Sequence, residues 1–237
     1  MMKIPVLEIF GPTIQGEGAV IGRKTMFVRT AGCDFKCDWC DSKFTWDGSA
    51  KDDIEMLTAD IIFERLQQLA PNNFNHVTIS GGNPALIKNI AALVEFLHVH
   101  NIEVSLETQG SKFQPWMTDI DQLTISPKPP SSKMHQDMHQ LDFVINQLEY
   151  NKVSLKVVIF NDDDYKFAQM IHHRYPNIKF YLQVGNPYLD EAVNDHTEKL
   201  LARYEAVIDK VMQDNTMNDC YVLPQLHTLL WSNKKGV

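Results

Sequence analysis

Residues 25–40 read Thr25-Met-Phe-Val-Arg29-Thr-Ala-Gly-Cys33-Asp-Phe-Lys-Cys37-Asp-Trp-Cys40, a short apolar run followed at once by a loop with three cysteines. The apolar run predicts a buried strand, and the loop then lies at the carboxyl end of that strand. Three soft thiolates on one short loop can hold a metal centre and leave one coordination position open for a ligand. This stretch therefore predicts both a buried sheet and a reactive metal site.

The cysteines also allow other interpretations. Four cysteines, three of them clustered, are too few for a disulfide framework in a chain of 237 residues. A structural zinc site would need a fourth ligand, which Cys220 or one of the nine histidines could supply. Because residues 33–40 lack the paired-knuckle pattern of zinc modules, we favour an iron–sulfur cluster with one open iron. Cys220, which stands apart from the other three, is predicted to be a small buried hydrophobic residue.

Composition limits the class of protein. A content of 44% hydrophobic and 22% charged residues predicts an ordinary globular chain, with one domain over residues 1–237. The apolar first ten residues are too short for a signal peptide and are broken by Pro5 and Glu8, and no later run approaches a membrane span. Together with the clustered thiols, this predicts a cytoplasmic protein without a membrane partner. The net charge of −8 argues against a nucleic acid as the main partner.

Buried runs alternate with amphipathic stretches along the chain. Strands are predicted at residues 25–29, 76–80, 104–107, 123–126, 154–160 and 180–184. Helices are predicted after Thr58 as N-cap, over residues 86–97, and near 164–175 and 196–207. Since about six βα units follow one another without a linker, the sequence predicts an α/β fold with one parallel sheet, closed or partly closed into a barrel.

Polar motifs follow the predicted strands. They are Ser80-Gly81-Gly82-Asn83-Pro84, Glu107-Thr108-Gln109-Gly110 and Ser126-Pro127-Lys128, with Gln183 near the end of a later strand. Ligands of parallel α/β sheets bind at the carboxyl ends of the strands, so these motifs are predicted to share one rim with the cysteines. Two glycines at a strand end also let the backbone approach a ligand closely.

These motifs resemble those of the radical S-adenosylmethionine (SAM) enzymes. The cysteine loop with an aromatic residue before its last cysteine matches their signature, and residues 80–84 resemble their Gly-Gly-Glu-Pro segment, with Asn83 in place of Glu. The resemblance implies a partial (β/α)6 TIM-like barrel with abbreviated helices, and a 4Fe-4S cluster on Cys33, Cys37 and Cys40 whose open iron binds SAM. The SAM-binding residues that it implies are Trp39, Gly82, Thr108, Ser126, Pro127, Lys128 and Gln183.

Further motifs resemble the family of 7-carboxy-7-deazaguanine synthases over residues 8–237. They include Gly11-Pro-Thr-Ile-Gln15-Gly16-Glu17-Gly18, Cys40-Asp-Ser42 and Gln225-Leu-His227. This resemblance implies a carbon–nitrogen lyase that contracts the ring of 6-carboxy-5,6,7,8-tetrahydropterin to 7-carboxy-7-deazaguanine, with loss of ammonia, on the route to queuosine. The pterin-binding residues that it implies are Ile14, Gln15, Gly16, Glu17, Arg29, Ser80 and His227.

The chemistry of three of these residues suits such a site. Glu17 can accept hydrogen bonds from the N–H groups of an aminopyrimidine ring, and Arg29 can bind a substrate carboxylate with two parallel bonds. The resemblance implies Mg²⁺ at Ser42, where Thr is usual, and a hydroxyl is a ligand of the kind that Mg²⁺ prefers. It also implies a homodimer, an electron donor such as a flavodoxin or ferredoxin, and a C-terminal segment of about 222–237 that caps the substrate.

Two other functions stay open. A radical SAM enzyme of another substrate class, such as an activase that installs a glycyl radical on a partner protein, would share the cysteine loop and Gly81-Gly82. It would not need Gln15-Gly-Glu17 together with Gln225-x-His227. A non-enzymatic zinc or iron–sulfur binding module would not explain polar motifs at the ends of so many strands.

Overall fold

The computed structural model describes residues 2–189, 195–234 and 236. The strands of this part are β1 (Ile4–Ile14), β2 (Lys24–Thr30), β3 (Glu55–Leu57), β4 (His76–Gly81), β5 (Glu103–Thr108), β6 (Gln122–Ile125), β7 (Val153–Ile159), β8 (Lys179–Val184) and β9 (Tyr221–Leu223). Its α-helices are α1 (Ala59–Leu69), α2 (Ile90–Val99), α3 (Met138–Asn146), α4 (Asp162–Arg174), α5 (His196–Met212) and α6 (Leu226–Trp231). The part of the predicted capping segment at 235 and 237 lies outside the described residues.

The nine strands of the described part form one sheet in the order β3-β1-β2-β4-β5-β6-β7-β8-β9. From β2 through β4 to β9, each strand is parallel to its neighbour. Strand β1 is antiparallel to both β2 and β3. Within the described residues β3 and β9 do not pair with each other, so the sheet is open. The prediction of an α/β fold with a partial parallel barrel is confirmed.

The parallel strands form where the sequence is mostly apolar, and most of their residues are buried. All seven residues of β7 are buried, as expected for a parallel strand covered on both faces. Short connections replace long helices at some crossovers, since β5 and β6 are joined by a 3₁₀ helix at Pro115–Asp119. None of the helices in the described ranges has the length and apolar character that crossing a membrane requires.

Two helices differ from the prediction in their bounds: α2 begins later, and α5 continues to Met212 instead of ending near 207. Helix α1 begins after Thr58, as predicted. Helix α2, however, begins at Ile90, and Leu86 lies in a separate 3₁₀ turn, Pro84–Leu86. The side chain of Asn83 accepts a hydrogen bond from the backbone N of Ala85 and so caps that turn before α2 starts.

The strands β1, β3 and β9 and the helices α3 and α6 are absent from the sequence-based prediction. Strand β1 lies between β3 and β2 in the sheet, and its residues Ile4 and Val6 are buried. Part of the apolar N-terminal stretch is therefore buried within this chain.

Candidate active site

One cavity of about 430 Å³ lies at the carboxyl ends of the parallel strands. Residues from every predicted motif line it. Those with a predicted role are Ile14, Gln15, Gly16, Glu17, Arg29, Cys33, Cys37, Trp39, Cys40, Ser42, Ser80, Gly82, Thr108, Ser126, Lys128 and His227. The structure thus brings together most of the residues that the sequence predicted for the cluster, SAM, the substrate and Mg²⁺.

Pro127 and Gln183 do not line this cavity. Gln183 is fully buried, its Nε2 lies 3.5 Å from the carbonyl oxygen of Leu223, and its Oε1 has no hydrogen-bond partner among the described residues. Contact of these two residues with SAM stays a prediction.

The three clustered cysteines are free thiols on one wall of the cavity. Their loop is held by a hydrogen bond from the backbone N of Asp38 to the carbonyl of Ser132 at 3.1 Å. Burial raises the pKa of all three thiols, that of Cys37 to about 11, so a bound metal must displace their protons. Cys220 packs against the hydrophobic core instead. Three sulfurs without a fourth fit a cluster that keeps one iron open.

Gly82 packs directly against this loop. A Cβ at this position would lie 2.1 Å from the carbonyl oxygen of Gly32 and 3.0 Å from the Cβ of Cys33. The sequence predicted glycine here because the backbone must approach a ligand closely. The structure adds a second reason for glycine, because the end of β4 lies close to the cysteine loop. Gly82 therefore positions the loop as well as lining the cavity.

Trp39 and Lys128 form a second wall. The indole Nε1 of Trp39 donates to Ser131 Oγ at 2.9 Å, and its ring centroid is 4.9 Å from that of Phe160. Lys128 Nζ lies 5.6 Å from the Trp39 ring centroid and donates to Ser126 Oγ at 3.2 Å. An aromatic surface beside an ammonium group fits a ligand that has both a planar ring and a carboxylate, as SAM does.

A buried lysine lies between two carboxylates at the base of the cavity. The Lys156 side chain, only 4% exposed, forms a short ion pair with Glu17 and approaches Glu107 Oε1 at 3.8 Å. Gln15 Nε2 donates to Glu107 Oε1 at 3.2 Å, and Gln225 Nε2 donates to Glu17 Oε1 at 2.8 Å. The sequence analysis placed Glu107 and Gln225 within motifs but gave neither a role, and it did not single out Lys156. The available signal was a lysine within the apolar run of β7.

The two carboxyl groups have opposite pKa shifts. Burial alone would raise the pKa of Glu17, but the ammonium of Lys156 and the nearby His227 lower it to about 2. At Glu107, burial outweighs the attraction of Lys156 and raises the pKa. Burial opposes the charge of Lys156, yet the two carboxylates raise its pKa above the usual value. Glu17 is therefore a charged acceptor, and Glu107 is the carboxyl that more readily holds a proton.

Arg29 and Ser42 meet at another corner of the cavity. Arg29 Nε lies 2.9 Å from Glu8 Oε2, and its Nη1 donates to Ser42 Oγ at 2.9 Å. Ser42 Oγ donates to Asp41 Oδ1, also at 2.9 Å. A hydroxyl and a carboxylate side by side are hard oxygen ligands, so this corner fits the predicted Mg²⁺ and adds Asp41 to Ser42.

His227 closes the cavity from the C-terminal segment. A Cβ on Gly16 would lie 2.2 Å from His227 Nδ1, so glycine allows the imidazole to pack on the β1–β2 connection. Ligand atoms of Glu17, Asp41 and His227 all lie within 4.8 Å of one another. The C-terminal residues are held there by a hydrogen bond from the backbone N of Leu226 to the carbonyl of Gly16 at 3.0 Å.

Comparison with known proteins defines the class first. A family model described as the radical SAM superfamily matches residues 27–142. A 7-carboxy-7-deazaguanine synthase from Bacillus subtilis (strain 168) is 60% identical over 242 residues, which cover 99% of this chain and 98% of the relative. A protein of the same name from Bacillus cereus is 56% identical over the full length of both chains. The chain belongs to the 7-carboxy-7-deazaguanine synthase family of radical SAM enzymes.

Solved structures support the same fold. The crystal structure of QueE from Escherichia coli superposes with a TM-score of 0.69 and covers 96% of each chain, at 20% sequence identity. Streptococcus suis SuiB bound to S-adenosylmethionine gives a TM-score of 0.54 at 16% identity, over 83% of this chain and 49% of that one. At these identities the likeness shows the fold alone.

Proposed function

We propose that this chain is a 7-carboxy-7-deazaguanine synthase. It contracts the ring of 6-carboxy-5,6,7,8-tetrahydropterin to 7-carboxy-7-deazaguanine, releases ammonia, and thereby serves queuosine biosynthesis. The observation that carries the proposal is that one cavity holds the three cysteines together with the charged residues Glu17, Lys156 and Arg29.

The enzyme uses a 4Fe-4S cluster, SAM and Mg²⁺. When bound, these groups supply one-electron cleavage of SAM, abstraction of a hydrogen atom and Lewis-acid stabilisation of a carboxylate. Cys33, Cys37 and Cys40 would hold the cluster, and Ser42 with Asp41 would hold Mg²⁺. The residues proposed for SAM are Trp39, Gly82, Thr108, Ser126, Pro127, Lys128 and Gln183.

The residues of the chain itself recognise the pterin. Glu17 remains ionised at neutral pH and accepts from the ring N–H groups. Gln225 and Lys156 hold its carboxylate in place from two sides. Gln15 is oriented by its bond to Glu107, so its amide reads the same ring edge. Because these charged groups are largely removed from solvent, each contact is stronger than it would be in water.

Arg29 binds the carboxylate of the substrate. Its guanidinium is fixed by Glu8 and Ser42 and lies 5.5 Å and 5.4 Å from the ring centroids of Phe10 and Phe44. A fixed planar fork loses little freedom when it forms two parallel bonds to a carboxylate. Ile14, Gly16, Ser80 and His227 complete the proposed substrate pocket.

An activase that acts on a protein partner is less well supported. The cavity floor presents a buried arrangement of Glu17, Lys156 and Glu107, which suits the donors and acceptors of a small polar heterocycle. An enzyme that forms a radical on a polypeptide backbone would not need these three charged groups at the base of its cavity.

The electron must come from another molecule. The chain has four cysteines, three in the cluster loop and Cys220 against the core, which leaves no ligand set for a second cluster. We therefore keep an external one-electron donor, such as a flavodoxin or ferredoxin, as a proposal. A homodimer and a cytoplasmic location are likewise proposed, and the dimer is checked by light scattering during size-exclusion chromatography.

Recognition of the substrate carboxylate gives a direct test. Replacing Arg29 with Met should raise the KM for 6-carboxy-5,6,7,8-tetrahydropterin about 30-fold or more, because a buried charged contact is lost. The rate of SAM cleavage without substrate should stay near that of the wild type. The control is Arg23→Met, since Arg23 pairs with Glu103 at the outer surface, at the amino end of β2.

Two outcomes would count against the proposal. If Arg29→Met changes the affinity for SAM but leaves the pterin KM unchanged, Arg29 belongs to the SAM site. If the wild-type enzyme with its cluster and SAM does not bind the pterin, the proposed function fails.

A further inference from the structure

Asn83 stands where radical SAM enzymes usually have Glu, and it is fully buried. Its Oδ1 accepts hydrogen bonds from Thr108 Oγ1 at 2.8 Å and from the backbone N of Ala85 at 3.2 Å. Its Nδ2 donates to Asp34 Oδ1 at 2.9 Å and to Ser111 Oγ at 3.0 Å. Both ends of the amide are used, and a carboxylate at this position could not donate either bond.

Asp34 immediately follows the first cysteine of the cluster loop, and it receives a second amide. Gln109 Nε2 lies 2.6 Å from Asp34 Oδ1 and 3.7 Å from Cys33 Sγ. One carboxylate oxygen thus accepts N–H groups from residues at the ends of two neighbouring strands, β4 and β5. These bonds attach the loop to the rigid sheet beside its first cysteine.

We propose that Asn83, Asp34 and Gln109 form a positioning set that fixes Cys33 for cluster binding. An acid at position 83 would face the Asp34 carboxylate across hydrogen-bond distance, where like charges repel. The amide at position 83 and the carboxylate at position 34 therefore require each other. None of the three is a cluster ligand, and each acts by orienting Cys33. The set rests on the cluster site of the proposed function and does not depend on the identity of the substrate.

The first test uses Asp34, which is exposed on the loop and is not part of the hydrophobic core. Asp34→Ala, Asp34→Asn and the neighbouring control Lys36→Ala are reconstituted anaerobically. Iron per chain and the rate of cluster loss to a chelator are then measured by absorbance. Asp34→Ala should lose its cluster about 10- to 100-fold faster, as for other residues that support metal ligands.

Asp34→Asn keeps an oxygen acceptor for both amides, so it should retain its cluster much better than Asp34→Ala. Lys36→Ala should behave like the wild type. If Asp34→Ala loses its cluster no faster than Lys36→Ala, Asp34 does not position Cys33 and the proposal is wrong. An Asp34→Asn variant as labile as Asp34→Ala would also contradict the hydrogen-bond basis.

The second test exchanges the charges. Asn83→Asp should load cluster poorly at neutral pH, and the double variant Asn83→Asp with Asp34→Asn should recover, because one carboxylate again faces one amide. Thermal melting of the cluster-free proteins separates poor cluster loading from failure to fold. If Asn83→Asp is unfolded, the Asp34 variants alone test the positioning set. No recovery in a folded double variant would overturn the coupling. Failure of the wild type to bind a cluster would overturn the proposed function instead.

Discussion

Lys156 is the residue that most strongly determines the electrostatics of the cavity. It is buried in β7 between Glu17 and Glu107, and burial of an unpaired charge would be costly. Glu107 more readily holds a proton because burial raises its pKa, whereas the low pKa of Glu17 keeps a negative charge on its carboxylate beside Lys156. That charge faces the cavity, where the N–H groups of a pterin ring can meet it.

Removal of this ammonium should therefore damage both stability and binding. Lys156→Met leaves two buried carboxyl groups without their partner, and we expect a loss of about 3–5 kcal/mol in the free energy of unfolding. Urea unfolding measures it, and pterin affinity should fall as well. The control is Lys152→Met, an exposed lysine just before the same strand. A Lys156→Met variant as stable as this control would contradict a stabilising role for the ion pair between Lys156 and Glu17.

His76 predicts how stability depends on pH. It is fully buried at the opposite end of the sheet, hydrogen-bonded to Thr25 Oγ1 at 2.8 Å and Ser105 Oγ at 2.6 Å. Burial lowers its pKa to about 4. Between pH 6.5 and about 4 the unfolded chain binds a proton that the folded chain does not, so stability falls as the pH falls.

The contribution of His76 to this fall should be about 2–3 kcal/mol across the window. Urea unfolding of wild type and His76→Asn at several pH values measures it, and the slopes with pH are compared rather than the absolute stabilities. The variant should show the shallower slope. Equal slopes would mean that His76 binds its proton as readily in the folded as in the unfolded chain, which would contradict the lowered pKa.

At the scale of elements, the contact between the end of β4 and the cysteine loop is the most sensitive. Gly82→Ala would place a Cβ against the Gly32 carbonyl, which belongs to the backbone and cannot move aside cheaply. We expect the variant to bind less than about a tenth of the wild-type iron, because support for a metal ligand is worth at least tenfold. Gly48→Ala is the control, since nothing lies within 4 Å of a Cβ there; the positive φ of Gly48, which Gly82 lacks, makes this the more demanding substitution for the backbone. Normal iron content in Gly82→Ala would show that the loop adapts.

Elements with a continuous apolar run could be predicted from the sequence, and those without one could not. β7, β4 and β8 are buried in a single stretch, and their bounds agree with the prediction within one or two residues. Strand β1 was missed because Pro5, Glu8 and the Gly11-Pro12 pair interrupt its apolar residues. Its strand conformation depends on pairing with β2 and β3, and the local sequence pattern does not reveal this pairing.

The same distinction holds for the site across the whole molecule. The cysteine loop and Gly81-Gly82 are short motifs, so their chemistry could be predicted directly. The bond between Gln225 and Glu17 joins residues 208 positions apart, and the contact of Lys156 with Glu17 spans 139 positions. Such contacts exist only once the open sheet has brought its strand ends to one rim, so a list of motifs could not supply them.

The fold as a whole explains why one cavity can serve cluster, SAM and substrate. Residues from Phe10 in β1 to His227 in α6 line it, and they come from several strands and from the loops that follow them. Because β2 and β4 to β9 run parallel, their carboxyl ends lie on one side of the sheet, where Gly16 after β1 accepts a hydrogen bond from Leu226 in the C-terminal segment.

The most direct test of the central claim is an anaerobic turnover assay with 6-carboxy-5,6,7,8-tetrahydropterin, SAM, Mg²⁺ and a reductant, read by mass spectrometry. Cluster-loaded enzyme should form 7-carboxy-7-deazaguanine with release of ammonia, and Cys37→Ala should form none. Reductive cleavage of SAM without that product would contradict the proposed synthase and assign the radical chemistry to another substrate. A protein that binds zinc and assembles no iron–sulfur cluster would contradict the whole account.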